Sequence, residues 1–237
     1  MIGATLTLPS PMTDSVTRTI LRLPKLLRPT SFTLAEDEPD TDIGDVEVFL
    51  KNFKMPSIGV YLKNSIVEYD LRRAGPQTFV VDADFGMTPD DTVRDYLIHM
   101  APLHPIFGFA CAQEELEYRN RITTTFGINV MGSWVGRDPQ KYIPRLYWWT
   151  LLPASLAEQH GVSLSVLMQA AQEHIELEGQ QHLLRFYKKP EDWRSAASSM
   201  AELYHSCPGI FDVEKLPPKL QGKTNFLEIT AILREWT

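Results

Sequence analysis

The sequence predicts an α+β protein: a mixed, largely antiparallel sheet flanked by helices, folded as a single compact domain over 1–237. Three observations predict it. Runs that alternate apolar and polar residues interleave with amphipathic helical stretches, yet not in the regular order of a doubly wound parallel sheet. The 237 residues are 43% hydrophobic, 10% aromatic and 22% charged, which is enough to bury a substantial core. No linker or low-complexity tract divides them.

Taken in order, Ala4 to Leu8 reads as a short strand, and Thr13 or Asp14 caps a helix toward Leu27 that Pro24 must kink or end. Ser31 to Ala35 alternates as a strand. Asp42 to Phe53 places Ile43, Val46, Phe49 and Leu50 at helical spacing, and Ser57 to Leu62 reads as a strand. Gly75-Pro76 supplies the turn before a strand from Gln77 to Asp82. The next helix is marked by Thr88 as cap, Pro89 in its first turn and Asp91 three residues after the cap, with Val93, Tyr96, Leu97 and Met100 as its buried stripe. Pro102 and Pro105 end it, and Ile106 to Ala112 runs on as an apolar, central strand. Glu114 to Ile122 is a charged helix, Gly127 to Val135 an extended segment, and Arg145 to Leu152 an apolar aromatic run of either type. Ser163 to Ile175 has helical spacing, His182 to Tyr187 reads as a strand, and Pro190 to Tyr204 and Asn225 to Trp236 read as helices. One echo stands out: Pro29 leads into Phe32-Thr33-Leu34-Ala35, and Pro105 into Phe107-Gly108-Phe109-Ala110. It leaves two readings open, similar half-units about one sheet or chance.

Charge is unevenly placed. Glu36, Asp37, Glu38, Asp40, Asp42, Asp45 and Glu47 stand between Pro29 and Leu50 with no Lys or Arg among them, and these seven acids account for the whole formal net charge of -7. A solvated loop running into a helix start explains such a stretch, because acids favour the positive end of the helix dipole. The sharper reading is a patch, Glu36, Asp37, Glu38, Asp40 and Asp42, that steers and docks a basic partner. Direct binding of nucleic acid is disfavoured, since phosphates call for a basic stripe. The best cationic cluster, Arg18, Arg22, Lys25 and Arg28, has the spacing of one solvated helix face. Two cysteines make no disulfide framework, the first residues lack the pattern of a signal peptide, and no run approaches the roughly 18 apolar residues of a spanning helix. A cytoplasmic setting away from membranes is expected.

No catalytic signature survives scrutiny. Asp82-Ala83-Asp84 with Asp90 and Asp91 suggests hard-cation ligands, and a metal-assisted hydrolase using Asp82 and Asp84 is the alternative reading of the chain, but Asp90 and Asp91 already suit a helix start. His174 and His182, eight apart with Gly179 between them, lack zincin spacing. Cys111 and Cys207 carry no mark of a lowered pKa. Glycines form neither a nucleophile elbow nor a phosphate loop. No metal or cofactor is expected, and the protein is read as a non-enzyme. The strongest local anomaly is the cluster of Tyr142, Tyr147, Trp148 and Trp149 around Arg145. Core packing explains most of it. Adjacent tryptophans nevertheless point to different faces of a strand or helix, so Trp149 with Arg145 is the expected surface anchor, the composition of an interface hot spot.

At these residues the chain resembles a known family. Gly136-Arg137-Asp138, then Tyr142-Ile143-Pro144 and Leu146-Tyr147-Trp148 with Thr150-Leu151-Leu152, then His160-Gly161, and Phe186-Tyr187 with Pro190-Glu191-Asp192-Trp193 are similar to the immunity proteins of type VI secretion and polymorphic-toxin systems, in particular the family paired with restriction-endonuclease-like DNase toxins. The resemblance covers 107–193 and departs from the family at Arg145, where members carry glycine. It implies an α+β protein without catalytic residues, a monomer or weak homodimer, that binds a cognate toxin in the cytoplasm and keeps it from DNA.

Overall fold

The computed structural model describes every residue except 10–12, 36–37, 54–58, 76–77, 87, 127, 224 and 237. Strand β1 (Ile2–Pro9) shows why the chain builds a sheet: Ala4, Leu6 and Leu8 are buried on one side, while Gly3, Thr5 and Thr7 alternate onto the other. Helix α1 (Thr13–Leu21) sends Val16 and Ile20 into the core and stops short of Pro24. After β2 (Ser31–Thr33) and β3 (Thr41–Asp42), α2 (Val46–Asn52) opens at Asp45, whose carboxylate accepts from the Val48 N–H at 2.9 Å. Then come β4 (Val60–Lys63), β5 (Glu68–Arg73), β6 (Thr78–Asp84) and α3 (Asp90–Met100), whose Val93, Tyr96, Leu97 and Met100 are buried. The rest of the chain forms β7 (Phe107–Ala112), α4 (Gln113–Asn120), the hairpin β8 (Arg121–Phe126) and β9 (Asn129–Trp134), and β10 (Trp149–Pro153). It continues through α5 (Ala154–Gln159), α6 (Leu164–Ala170), β11 (Glu173–Leu177) and β12 (Gln181–Arg185) to α7 (Ala197–Ser206), α8 (Pro217–Leu220) and α9 (Phe226–Arg234).

Among the described residues, ten strands make one sheet in the order β11-β12-β10-β7-β1-β6-β5-β4-β2-β3, every neighbouring pair antiparallel, with β8–β9 apart from it. The fold is therefore α+β, as the interleaving predicted. The first hundred residues fill one side of the sheet and the rest the other, joined along β1 and β7. The echoed segments do not occupy equivalent places: one is β2, next to the edge, and the other is central β7.

Cross-strand partners share a face, so the register assigns each residue to a side. Leu6, Val81, Leu71 and Val60 lie in one row, on the face the helices cover. There Tyr69 sits 5.8 Å from Tyr96 of α3 and donates its hydroxyl to the Leu27 carbonyl at 2.8 Å, and Phe32 meets Phe49 of α2 at 5.1 Å. The opposite face carries Thr5, Asp82 and Asp70 in a row. On β7 that face is roofed by Tyr147, stacked on Phe109 at 4.1 Å. A second, smaller core of Val135, Tyr142, Phe211, Leu216, Ile229 and Leu233 ties the C-terminal helices to the hairpin.

Several expected elements are shorter than the pattern implied. Thr41–Asp42 is edge strand and the helix after it starts only at Val46; the helix expected to Ile175 stops at Ala170, because Glu173, Ile175 and Leu177 alternate with His174 and Glu176 to pair with β12. The 190–204 stretch divides into a 3-10 turn, Pro190–Trp193, and α7. Thr88 donates to the Phe85 carbonyl instead of capping α3. The expected strand from Ser57 begins at Val60, residues 57 and 58 lying outside the described set, as does Gln77. Among the described residues no helix is long and apolar enough to cross a membrane.

Candidate partner-binding groove

On β1, β6 and β5 the face away from α1 and α3 is the floor of an open groove. Alternation puts Thr5 and Thr7 of β1, Thr78 and Val80 of β6 and Arg72 of β5 on it, with Phe107 and Phe109 of β7 along one side. The wall over Phe109 is made by Leu116 of α4, Trp134 of β9, the segment Gly136 to Gln140, and Pro144 with Tyr147. The cavity holds about 580 Å³, and a second hollow of about 320 Å³ continues it past Thr5, Phe109 and Trp134 to Glu68, Asp70, Asp82 and Asp84. Gly136, Arg137, Asp138, Pro144 and Tyr147, which carry the family resemblance, thus build the wall.

The electrostatics are lopsided. Glu68 stands directly opposite Asp84, and Asp70 opposite Asp82, so two like-charged cross-strand pairs lie side by side, with Lys63 facing Glu68 from β4. Arg72 relieves the second pair: its Nε donates to Asp70 at 3.0 Å and its Nη2 to Asp82, while the Thr5 hydroxyl donates to the other Asp82 oxygen at 2.5 Å. Burial works against the Arg72 charge, but Asp82 and Asp70 outweigh it and hold the guanidinium above its usual pKa. Asp84 accepts from the Gly86 N–H at 2.9 Å. Across the groove, Arg137 lies over the Trp134 ring at 5.7 Å.

The structure distributes the expected site residues unevenly. Glu36 and Asp37 lie outside the described residues. Glu38, Asp40 and Asp42 are exposed; Asp40 pairs with Lys63 at 2.8 Å, and Asp42 accepts from the Gly44 N–H at 2.9 Å. The Asp40 hydrogen bond raises the Lys63 pKa. Asp42, Ser31, Lys63, Glu68 and Asp84 form one cross-strand row, so the acidic edge and the groove belong to the same face of the sheet. The aromatic anchor is corrected. Trp149 is 2% exposed, in β10 on the helix-covered face beneath Arg185, and Trp148 is fully buried. Arg145 is 4% exposed, because its Nε reaches the Phe211 carbonyl at 3.2 Å, Nη2 reaches Asp212 at 3.4 Å, and the guanidinium lies 4.6 Å from the Tyr204 ring. Neither is available to a partner in this fold.

The proposed metal constellation does not assemble. Asp82 and Asp84 share the groove face, but Asp90 heads α3, where the charges acting on it are Glu191, Lys189, Asp91 and Arg185. Among the described residues no group of three or more His, Cys, Asp or Glu is placed to hold a metal ion. Burial pushes the Cys111 thiol well above its usual pKa, the reverse of nucleophile activation. His174 and His182, dismissed on spacing, do meet across β11–β12, with Nε2 and Nδ1 at 3.0 Å.

Sequence reasoning missed Glu68, Asp70, Arg72 and Trp134. The signal was present in the alternation Glu68-Tyr69-Asp70-Leu71-Arg72, apolar residues on one face and charges on the other, which is a strand with one wet side. Compared with protein-family models, with curated proteins and with solved structures, the chain finds no match.

Proposed function

We propose that this protein is an immunity protein: in the cytoplasm of the producing cell it binds a cognate secreted antibacterial toxin, a nuclease, and covers the toxin's basic DNA-binding or active-site surface. The observation that carries the reading is the acid-rich sheet face that bears Asp42, Glu68, Asp70, Asp82 and Asp84, with Lys63 and Arg72 among them, about 19 Å from Asp42 to Asp84 across four strand spacings. A nuclease must offer cations to phosphate, and a carboxylate surface competes for the same groups and speeds encounter through complementary potential. The motif resemblance supplies the toxin class. The test is protection: cells expressing the nuclease encoded beside this chain should survive when the chain is co-expressed, and the two should co-purify with a complex that weakens as salt rises. Killing that proceeds equally fast in its presence overturns the proposal.

A further inference from the structure

The ten-stranded sheet ends differently on its two sides. On one it stops at β3, only Thr41–Asp42, and a strand that short offers a newcomer little backbone. On the other it stops at β11, five residues long, about 17 Å of strand with one side unpaired. No residue of β11 is buried, whereas Gln181 to Leu184 of neighbouring β12 all are, so the outer side stands open among the described residues. Glu173-His174-Ile175-Glu176-Leu177 holds no proline, glycine or lysine to blunt the edge, and no bulge interrupts its register with β12. Of its two acids, Glu173 is already neutralised by Arg185 at 2.9 Å. Glu176 faces His182 within the chain but is exposed and makes no ion pair among the described residues. Helix α6 leads into this edge with Val166 and Met168 exposed.

The strand is also complementary to itself. Antiparallel strands that continue one sheet set residues of like face opposite each other, so a second β11 can meet the first only in registers centred on a residue. Centred on His174 or on Glu176, only part of the strand overlaps, and two imidazoles or two carboxylates meet at the axis. Centred on Ile175, the whole strand overlaps: Ile175 meets its own copy, Glu173 meets Leu177, and His174 meets Glu176 twice over. We infer that β11 is a self-association edge, along which two copies of this chain pair antiparallel about Ile175 with each His174 opposite Glu176 of the partner subunit. His174 uses Nε2 toward His182 Nδ1 at 3.0 Å, which leaves its Nδ1 to donate to that carboxylate. The contact is the same patch on both copies, so it closes at two, and so short an interface makes a weak dimer. Nothing in the pairing depends on the toxin.

Sedimentation velocity on the whole chain, from roughly 1 μM to 1 mM, should pass from monomer to dimer and no further. Hydrogen exchange over the same series should slow at amides within 173–177 and stay unchanged at Thr41 and Asp42. Glu176→Lys sets a cation opposite His174, and His174→Glu sets carboxylate against carboxylate, so each should weaken the dimer at least tenfold. Mixed together, the two variants should pair again, because the heterodimer has one native His–Glu contact and one Lys–Glu contact. A folding defect in either variant would not be repaired by mixing. Should His174→Glu fail to fold, the exchange series and Glu176→Lys decide between them. A chain that stays monomeric throughout, a dimer whose 173–177 amides exchange as fast as the monomer's, a Glu176→Lys dimer as tight as the wild type, or two folded variants that fail to associate when mixed overturns the inference. So does protection of 173–177 that appears only with the neighbouring nuclease, which would make this edge a site for a toxin strand.

Discussion

A side chain at position 136 has nowhere to go. Gly136 sits at φ 71°, in the left-handed region, and a Cβ there would run into the Phe211 ring at the heart of the smaller core. Gly136→Ala should therefore cost about 2–4 kcal/mol, combining backbone strain and overpacking, read as a lower urea midpoint; an unchanged midpoint would show that the turn and Phe211 can both yield. A second constraint lies in α4. Glu115 is fully buried, its Oε1 accepting from Arg119 Nε at 2.6 Å and its Oε2 from the Tyr187 hydroxyl, while Arg119 Nη1 donates to the Tyr204 hydroxyl at 3.0 Å. Burial raises the Glu115 pKa and Arg119 pulls it back, so each charge is tolerable only with the other. Glu115→Gln should destabilise by about 3–5 kcal/mol, and adding Arg119→Met should restore part of the loss by removing the stranded cation, measured as a double-mutant cycle in urea. If the second change only deepens the loss, the pair is not what holds the site. Arg145 shows why such contacts were not legible in the sequence. Its aromatic neighbours suggested a surface hot spot, but its partners, Phe211 and Asp212, lie more than sixty residues downstream, where only the fold can bring them.

Elements were legible in proportion to how far their own residues decided them. The apolar run of β7 marked itself as central, and Pro24 ended α1 where its missing N–H required. Strand β5 was passed over because half of its side chains are charged, and those charges are the floor of the groove, so the miss and the candidate site have one cause. The helix expected through Ile175 failed differently. Leu167 and Ile175 have helical spacing, but pairing of Ile175 with Leu183 places the same side chain, half-buried, in a strand. The result brings His174 and His182 into contact at the sheet's outer strand pair, with Glu176 opposite His182. Burial lowers the His182 pKa below its usual 6.5, the neighbouring His174 lowers it further, and Glu176 opposes both. In the window just below 6.5 the unfolded chain then binds more protons here than the folded one, so stability contributed by neutral His182 is fully present above that pH and is lost as pH falls through it. A fall in melting temperature between roughly pH 7 and 5 that flattens in His182→Gln is expected, and a variant that tracks the wild type across that range would clear the histidine pair of the effect.

At the scale of the whole molecule, the two cores assign different stabilities to the two sides of the groove. The floor strands β1, β6 and β7 belong to the large core, one continuous cluster whose members range from Ala4 to Ile210. The wall is hung on the small one: the Gly136 N–H donates to the Trp236 carbonyl at 2.6 Å, the Tyr142 hydroxyl donates to the same oxygen, and the Trp236 ring packs 5.7 Å from Phe211. Fewer buried apolar groups stand behind the wall, and regions of that kind open at lower free energy than the strands of a main core. Native-state hydrogen exchange should therefore show amides of β8, β9 and α9 opening well before those of β1 and β6. Trp236→Ala removes a half-buried ring from the smaller core and should lower the opening free energy of β8, β9 and α9 by about 2 kcal/mol while leaving β1 and β6 nearly unchanged. Because Trp134 and Arg137 stand on that wall, the same variant should also loosen the groove without altering the charge of its floor. Uniform protection across both cores, or a Trp236→Ala effect that spreads equally to β1, would mean that wall and floor form one cooperative unit and that the groove cannot open from one side.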